Sequence, residues 1–330
     1  MNMSKFGQID LHLHLDGSLP AETILRIAKE EGIRLPADTA KGLKPYICEG
    51  MDCKSLNEYL RCFDTVLKVL QTERGLCQAA RELGENLKVR GLRYAEVRFA
   101  PQLHCQKGMS QEQAVTAVLS GLSKSQEDSD IRLRTILCCM RGQDNKKANL
   151  QTVRLASRYL GKGVVAIDLA GAEALFPTAD YEEEFALARK LGVPFTIHAG
   201  EAAGPASIRK AVEFGAARIG HGVRAIEDEE LMELLASREI PLEMCPISNL
   251  QTKAVESTKN YPMREFLNAG LKVTVNTDNR TVSNTTLTKE LEFIQKNYRI
   301  TDEEIHLMMR NAVDVAFADD AVKERMLKYV

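Results

Sequence analysis

The chain has 330 residues, 44% of them hydrophobic, so it can bury a large core as one α/β barrel or as two smaller domains. Its net charge of −2 and the lack of a Lys/Arg cluster among aromatic residues argue against nucleic acid as a partner. No apolar run could cross a bilayer and residues 1–6 lack the apolar region of a signal peptide, so we predict a soluble cytoplasmic protein without a membrane partner.

The first predicted strand, residues 8–16, alternates strictly between apolar and polar side chains. Its polar row contains Asp10, His12, His14 and Asp16, whereas leucines and one isoleucine form the other row. His12 and His14 would lie about 6.6 Å apart along such a strand, close enough to bind one metal ion. Because a surface strand seldom places two histidines in one row, the pattern indicates a metal site.

A long insertion follows this strand, since roughly 70 residues precede the next strand near residue 92, far more than one crossover helix needs. Leu56, Tyr59, Leu60 and Phe63 form an i, i+3, i+4, i+7 stripe, which is typical of core packing but could also roof a pocket for an apolar planar ligand. We predict that the insertion acts as a lid. Its predicted helices are 21–31, 56–70 and 75–89.

The rest of the chain alternates between strands and helices. Strands two to eight are predicted at 92–100, 131–140, 164–169, 195–197, 217–220, 241–245 and 271–276. Helices are predicted at 110–124, 149–159, 181–191, 206–214, 228–237 and 301–330. Capping-box patterns begin two of these helices, at Asp180/Glu183 and Thr301/Glu304.

Eight strands, each followed by helix, favour a (β/α)8 barrel that forms a single domain over residues 1–330. The alternative is a doubly wound open sheet, which would need a glycine-rich phosphate loop after strand one. The sequence there, His14-Leu-Asp-Gly-Ser18, is a poor match to G-x-G-x-x-G. We therefore predict the barrel.

Barrel closure would bring the carboxyl ends of all strands to one face. His12, His14, His198 and Asp278 would then face a common point. Three imidazoles and one carboxylate suit zinc, with room for water as a further ligand. A binuclear site would usually need a bridging Lys or Glu after strand four, where the chain has Asp168-Leu-Ala-Gly171. We therefore predict one zinc ion per chain.

Six short motifs occur in order along nearly the whole chain, and as a set they are highly specific. They resemble those of the adenosine deaminase family, metal-dependent purine deaminases of the amidohydrolase superfamily with a (β/α)8 fold and one zinc ion. The motifs are His12-Leu-His-Leu-Asp-Gly-Ser18, Asp168-Leu-Ala-Gly-Ala-Glu173, His198-Ala-Gly-Glu201, Gly220-His-Gly222, Cys245-Pro-Ile-Ser-Asn249 and Asn276-Thr-Asp278.

The resemblance also implies roles for individual residues. It makes Glu201 the proton donor to purine N1 and places His221 beside the attacking water. The zinc ligands it implies are His12, His14, His198 and Asp278. The substrate contacts it implies are the backbone N–H of Gly171 at purine N3, Asp16 at the ribose, His14 beside the substrate, and Leu56 and Phe63 in an apolar lid.

The chemistry of purine deamination is consistent with these roles. Hydroxide must attack an aromatic carbon, and zinc lowers the pKa of bound water from 15.7 to roughly 7. The neighbouring ring nitrogen must take a proton, and Glu201, three residues after a ligand, can supply it without binding the metal. His221 can accept the water's proton and orient the hydroxide. Since the chain has no P-C-x-x-C motif, a cytidine-deaminase-type site is disfavoured.

One position departs from the family pattern. Family members often carry Asp-Asp-Pro after strand eight, and the second Asp reaches purine N7, whereas this chain has Asp278-Asn279-Arg280. N7 is an acceptor, so a carboxyl there must be protonated to donate, but an amide donates at any pH. We therefore expect Asn279 to donate to N7.

The leading hypothesis is hydrolytic deamination of adenosine and 2′-deoxyadenosine to inosine or its deoxy form and ammonia, with a purine nucleoside as the small-molecule substrate. Two alternatives stay open: a deaminase of another 6-aminopurine (adenine, a nucleotide or aminofutalosine), and a catalytically silent binding protein on the same scaffold. Asp16 favours a nucleoside, because a carboxylate accepts from a 5′-hydroxyl and repels a 5′-phosphate. Alternatively, Asp16 only caps the turn with Gly17 and Ser18. No oligomeric state is predicted.

Overall fold

Eight parallel strands form the centre of the computed structural model, which describes residues 8–330. They are β1 (Gln8–His14), β2 (Leu92–Phe99), β3 (Arg132–Met140), β4 (Val164–Ala170), β5 (Thr196–Ala199), β6 (Arg218–His221), β7 (Leu242–Met244) and β8 (Val273–Val275). β1 to β4 pair in chain order, and so do β5 to β8. Parallel bridges between Ile167 and Phe195 and between Leu13 and Asp278 join the two sets at both edges. The predicted barrel is confirmed.

Helices surround the barrel and fill the insertion between β1 and β2. No helix within residues 8–330 is both long and apolar enough to span a membrane. The α-helices are α1 (Ala21–Glu30), α2 (Ala40–Ile47), α3 (Leu56–Tyr59), α4 (Phe63–Leu67), α5 (Glu73–Val89), α6 (Gln111–Ser125), α7 (Lys146–Tyr159), α8 (Glu182–Lys190), α9 (Pro205–Phe214), α10 (Glu229–Ser237), α11 (Pro246–Gln251), α12 (Met263–Asn268), α13 (Leu287–Tyr298), α14 (Asp302–Val315) and α15 (Asp320–Leu327).

Two predicted helices are broken in the structure. The helix predicted at 56–70 is interrupted by a 3₁₀ turn at Leu60–Cys62, and nothing in the local sequence explains the break. The helix predicted at 301–330 ends at Val315, and α15 starts anew because the Asp319 side chain accepts a hydrogen bond from the Val322 N–H, as an N-cap aspartate does.

The two predicted capping boxes also have different outcomes. Thr301 and Glu304 form theirs at the start of α14, with both reciprocal hydrogen bonds present. The box predicted at Asp180 and Glu183 is wrong, since α8 begins after a 3₁₀ turn and Tyr181 gives it no side-chain cap.

Buried ion pairs run through the interior of the barrel. Arg218 bridges Glu96 and Glu243, and Arg98 bridges Glu243 and Asp168. All five side chains are at most 1% exposed. Because buried charges are tolerated only when they are paired and hydrogen-bonded, this network fixes the register of four strands beneath the carboxyl-terminal face.

Glu290, in the first turn of α13, makes the stability of the fold depend on pH. Its side chain is fully buried, one carboxylate oxygen accepts from the Ile247 N–H at 3.1 Å, and the other has no hydrogen-bond partner among residues 8–330. Burial raises the pKa of Glu290 from 4.5 to about 8. Between pH 4.5 and pH 8 Glu290 keeps its proton in the folded state but loses it in the unfolded state. The free energy of unfolding therefore falls as pH rises, and at pH 7 it is about 3 kcal/mol lower than below pH 4.5.

Glu290→Gln is therefore expected to raise the free energy of unfolding at pH 8 and to leave it nearly unchanged at pH 4.5. Urea denaturation of both proteins at the two pH values measures the difference. Exposed Glu292→Gln, in the same helix, is the control. Equal free energies of unfolding for Glu290→Gln and the wild type at pH 8 would contradict the raised pKa of Glu290.

Candidate functional site

Four side chains meet at the carboxyl-terminal face of the barrel, as the sequence predicted. The Nε2 atoms of His12 and His14 lie 3.1 and 3.2 Å from Nε2 of His198. Oδ1 of Asp278 lies 3.5 Å from Nε2 of His12 and 3.3 Å from Nε2 of His14. β1 supplies two of these residues, β5 the third, and the segment after β8 the fourth, whose backbone N–H donates to the His12 carbonyl at 2.8 Å.

The protonation of these imidazoles shows what the cluster can hold. Nδ1 of His12 lies 2.7 Å from Oε2 of Glu243, and Nδ1 of His198 lies 2.8 Å from Oδ2 of Asp168. A carboxylate partner keeps the proton on Nδ1, so each Nε2 turns a lone pair to the centre of the cluster. Facing lone pairs and a carboxylate cannot satisfy one another, but a cation between them can. The residues therefore fit a metal ion.

The charge states of His14 and His198 agree with this fit, whereas hydrogen bonds to Asp278 and Glu243 raise the pKa of His12, so a metal ion would have to displace a proton there. Burial holds the pKa of His14 well below its ordinary value and also lowers the pKa of His198, so both are neutral, as metal ligands must be. Burial alone would raise the pKa of Asp278, but its contacts with His12 and His14 hold that pKa well below its usual range. The Ser248 hydroxyl donates to Oδ2 of Asp278 at 2.6 Å and orients the carboxylate.

Glu201 and His221 lie beside this cluster. Oε2 of Glu201 is 3.6 Å from Nε2 of His221, and both side chains are at most 5% exposed. Burial raises the pKa of Glu201 well above its ordinary value, and the nearby carboxylates of Asp278 and Glu173 add to the shift. Burial therefore favours the protonated form of Glu201, which can donate a proton. His221 has a positive φ of 60°, a conformation that residues other than glycine adopt mainly at constrained sites.

Two residues that position this pair were quoted in the motifs but given no role. The Glu173 carboxylate accepts from four consecutive backbone N–H groups, those of Gly200, Glu201, Ala202 and Ala203, at 2.7–3.0 Å. It thus fixes the loop that carries Glu201. Asn249 is hydrogen-bonded through its Nδ2 to Nδ1 of His221 at 2.8 Å. Only the fold reveals these contacts, since a lone Glu or Asn has no diagnostic pattern.

The predicted substrate contacts line one cavity of about 220 Å³. Asp16 is 5% exposed, and burial raises its pKa to about 6. Its Oδ1 also accepts from the Gly17 N–H at 3.1 Å, so it caps the turn and faces the cavity at once. The predicted residues that line the cavity are His14, Asp16, Leu56, Phe63, Gly171, His198, Glu201, His221, Asp278 and Asn279.

Comparison with known proteins agrees with this geometry. The profile of the family described as adenosine deaminase matches residues 8–330. The chain is 49% identical to an adenosine deaminase of Haemophilus ducreyi, over 100% of this chain and 97% of that one. It is 45% identical to an adenosine deaminase of Clostridium botulinum, over 100% and 98%.

Solved structures share the fold. An adenine deaminase from Arthrobacter aurescens aligns over 98% of both chains with a TM-score of 0.89 and 28% identity. The N6-methyl-AMP deaminase of Arabidopsis thaliana aligns over 98% of this chain and 96% of that one, with a TM-score of 0.86 and 27% identity. From the matching profile and the full-length relatives, we conclude that the chain belongs to the adenosine deaminase family.

Proposed function

We propose that the protein is a zinc-dependent enzyme that hydrolyses adenosine and 2′-deoxyadenosine to the corresponding inosine and ammonia. One observation carries this proposal: a cluster of three imidazoles and a carboxylate lies beside the buried carboxyl of Glu201, whose pKa is raised well above its ordinary value, at one cavity. Full-length relatives that are named adenosine deaminases support the substrate.

His12, His14, His198 and Asp278 would hold the metal, which we propose to be one zinc ion per chain. Bound there, zinc would act as a Lewis acid that lowers the pKa of water from 15.7 to about 7. His12 and His198 are oriented for this by Glu243 and Asp168. Neutral nitrogen donors with one carboxylate are a ligand set that suits zinc.

Glu201 would protonate N1 of the purine, the nitrogen next to the attacked carbon. Burial raises the pKa of this carboxyl and so favours its protonated form, and the loop held by Glu173 fixes its position. General acid groups of this kind typically contribute about 10²–10⁴-fold to the rate.

His221 would orient the nucleophile as a hydrogen-bond donor. The Tyr261 hydroxyl donates to Oδ1 of Asn249 at 3.2 Å, which turns the Asn249 amide nitrogen to Nδ1 of His221. Nδ1 then accepts, so the ring proton lies on Nε2, the nitrogen near Glu201. With its proton on Nε2, His221 would donate a hydrogen bond to the oxygen of the nucleophile beside the cluster of three histidines and Asp278. We propose this donor role for His221 instead of the role of general base that the sequence suggested.

The remaining residues of the cavity would bind the nucleoside. We propose that the Gly171 N–H donates to purine N3, the Asn279 amide to N7, and that Asp16 accepts from the 5′-hydroxyl. Leu56 and Phe63 would pack against the base as part of a lid.

An ultraviolet assay of the purified metal-loaded protein with a panel of 6-aminopurines tests this function. We expect adenosine and 2′-deoxyadenosine to be deaminated faster than adenine, AMP or aminofutalosine. A clear preference for one of the latter three would assign the protein to that substrate instead. No ammonia release from any of them would indicate a binding protein.

Asp16 provides a separate prediction about the 5′ end of the substrate. Among the described residues that line the cavity, none is Lys or Arg, and Asp16 is ionised above about pH 6. The Asp16 carboxylate would therefore repel a 5′-phosphate. The repulsion is about 4 kcal/mol per charge pair at a separation of 4 Å and an effective dielectric constant of 20. We expect kcat/KM to be far higher for adenosine than for AMP, and Asp16→Asn to narrow the gap.

Steady-state kinetics of both proteins with both substrates measures this gap. Glu227→Gln, at an exposed carboxylate near the mouth of the site, is the matched control and should keep the wild-type ratio. Comparable kcat/KM for adenosine and AMP in the wild type would contradict the role of Asp16. It would point instead to Lys54 and Lys253, which line a neighbouring cavity that shares Glu201 and Leu56.

A further inference from the structure

A second cleft, of about 840 Å³, lies between α1, α2, the end of α5 and the loop that leads into α13. None of its described lining residues lines the cavity that contains Glu201. Its lining is strongly cationic, and Glu22 is the only acidic side chain among the described residues that line it. The cationic residues that line it are Lys41, Lys44, Arg90, Arg280 and Lys289. We name it the Arg280 cleft.

Arg280 is the buried residue of this set. Its side chain is only 6% exposed, and Nη1 is buried without a hydrogen-bond partner. Its one side-chain hydrogen bond within residues 8–330 is weak, from Nη2 to Oδ1 of Asn86 at 3.5 Å. A guanidinium has five donors and stays protonated in proteins. A buried cation with so few partners is costly, so an anion bound beside Arg280 would stabilise the folded protein.

The nearest buried carboxylate does not supply that anion. Asp10 attracts Arg280 electrostatically, but the structure records no ion pair between them. Both Asp10 oxygens are bonded elsewhere: Oδ2 accepts from the Thr277 hydroxyl at 2.6 Å, and Oδ1 accepts from the His12 N–H at 3.3 Å.

The surroundings of Arg280 offer further donors. Within residues 8–330 the structure gives Lys41, Lys44 and Arg90 no ion pair, whereas Lys289 donates to the Asn284 carbonyl at 3.0 Å. The Ser18 hydroxyl oxygen accepts from the Arg280 N–H at 3.1 Å, which leaves its proton available. The first turn of α1, at Pro20 and Ala21, also lines the cleft and has no side-chain cap. Uncapped helix N-termini favour anions.

We propose that the Arg280 cleft binds a phosphate group, with Arg280 as its buried anchor and Lys44 and Arg90 at its rim. A guanidinium pairs with phosphate through two parallel hydrogen bonds, and the rim lysines add point charges. Glu22 is exposed and can turn away from the bound anion. The phosphate belongs either to free orthophosphate or to a small phosphorylated metabolite, and the cleft has room for either.

Isothermal titration calorimetry of the full-length metal-loaded protein tests this site, with ionic strength held constant by NaCl. The titrants are orthophosphate, ribose 5-phosphate and UMP. We expect saturable binding, and we expect Arg280→Met and the double variant Lys44→Gln/Arg90→Gln each to weaken it about tenfold or more. Lys210→Gln, at an exposed cation outside the cleft, is the control and should bind as the wild type does.

The titrants also distinguish the two sources. Tighter binding of orthophosphate would identify the free ion, and tighter binding of either ester would identify a phosphorylated metabolite. The rim double variant keeps the test valid if Arg280→Met fails to fold. The proposal is wrong if no titrant binds saturably above the NaCl background, or if binding survives the rim substitutions unchanged.

Discussion

Replacing Glu201 with glutamine is expected to lower kcat for adenosine by about 10²–10⁴-fold while the protein keeps its metal. The residue is 4% exposed, and burial raises the pKa of its carboxyl well above the ordinary value, which favours the protonated form in the wild type. Glutamine preserves the shape of the side chain but cannot deliver that proton to N1. Steady-state kinetics measures kcat, and metal analysis of the same sample measures the metal content.

The matched control is Glu173→Gln, which leaves Glu201 intact but weakens the anchor of its loop. Glu173 accepts from the Glu201 N–H at 3.0 Å, and within residues 8–330 it has no hydrogen bond to the side chain of a proposed metal ligand. We expect it to lower activity less than Glu201→Gln does. Near-wild-type turnover of Glu201→Gln would remove this residue from the mechanism.

The second large effect is expected at Glu243. Its Oε2 accepts from Nδ1 of His12 at 2.7 Å and from Nη2 of Arg98 at 2.9 Å. Its Oε1 accepts from Nε of Arg218 at 2.6 Å. Glu243→Gln removes the charge that two buried guanidinium groups share, which should lower the free energy of unfolding by about 3–5 kcal/mol. It should also weaken zinc binding about 10–100-fold, because His12 loses its orienting carboxylate.

Glu96→Gln separates these two effects. Glu96 pairs with Arg218 and accepts from the Phe317 N–H at 2.6 Å, but among the described residues it does not contact a histidine of the cluster. We expect it to lower the melting temperature without changing zinc affinity, measured by competition with a chelating dye. Equal zinc affinity in Glu243→Gln and wild type would contradict the orienting role of Glu243.

The residues proposed to bind metal were predictable because the fold confines them to strand ends. Once strand-helix alternation indicates a barrel, His12, His14, His198 and Asp278 must share one face. The parallel bridge between Leu13 and Asp278 places Asp278 beside the strand that carries His12 and His14, as this prediction requires. The strict alternation of β1 also fixes which of its residues point inward, because side chains in a strand have a period of two.

The supporting residues could not be predicted in the same way. Arg98, Arg218 and Glu243 occur singly in three different strands, and their pairing depends on strand register, which no single strand encodes. The same holds for Glu173, whose partners lie on the loop after β5. Arg280 could be recognised only as a departure from the family pattern, since its burial and its poor hydrogen bonding depend on packing between distant segments.

The proposed zinc dependence is tested most directly by a zinc titration of exhaustively chelated protein, with adenosine deamination followed by ultraviolet absorbance at each step. We expect no turnover without metal, a linear rise in activity as zinc is added, and a plateau at one zinc ion per chain, with elemental analysis of the plateau sample giving the same ratio. Full activity in chelated protein that contains no first-row transition metal would contradict the proposed zinc dependence.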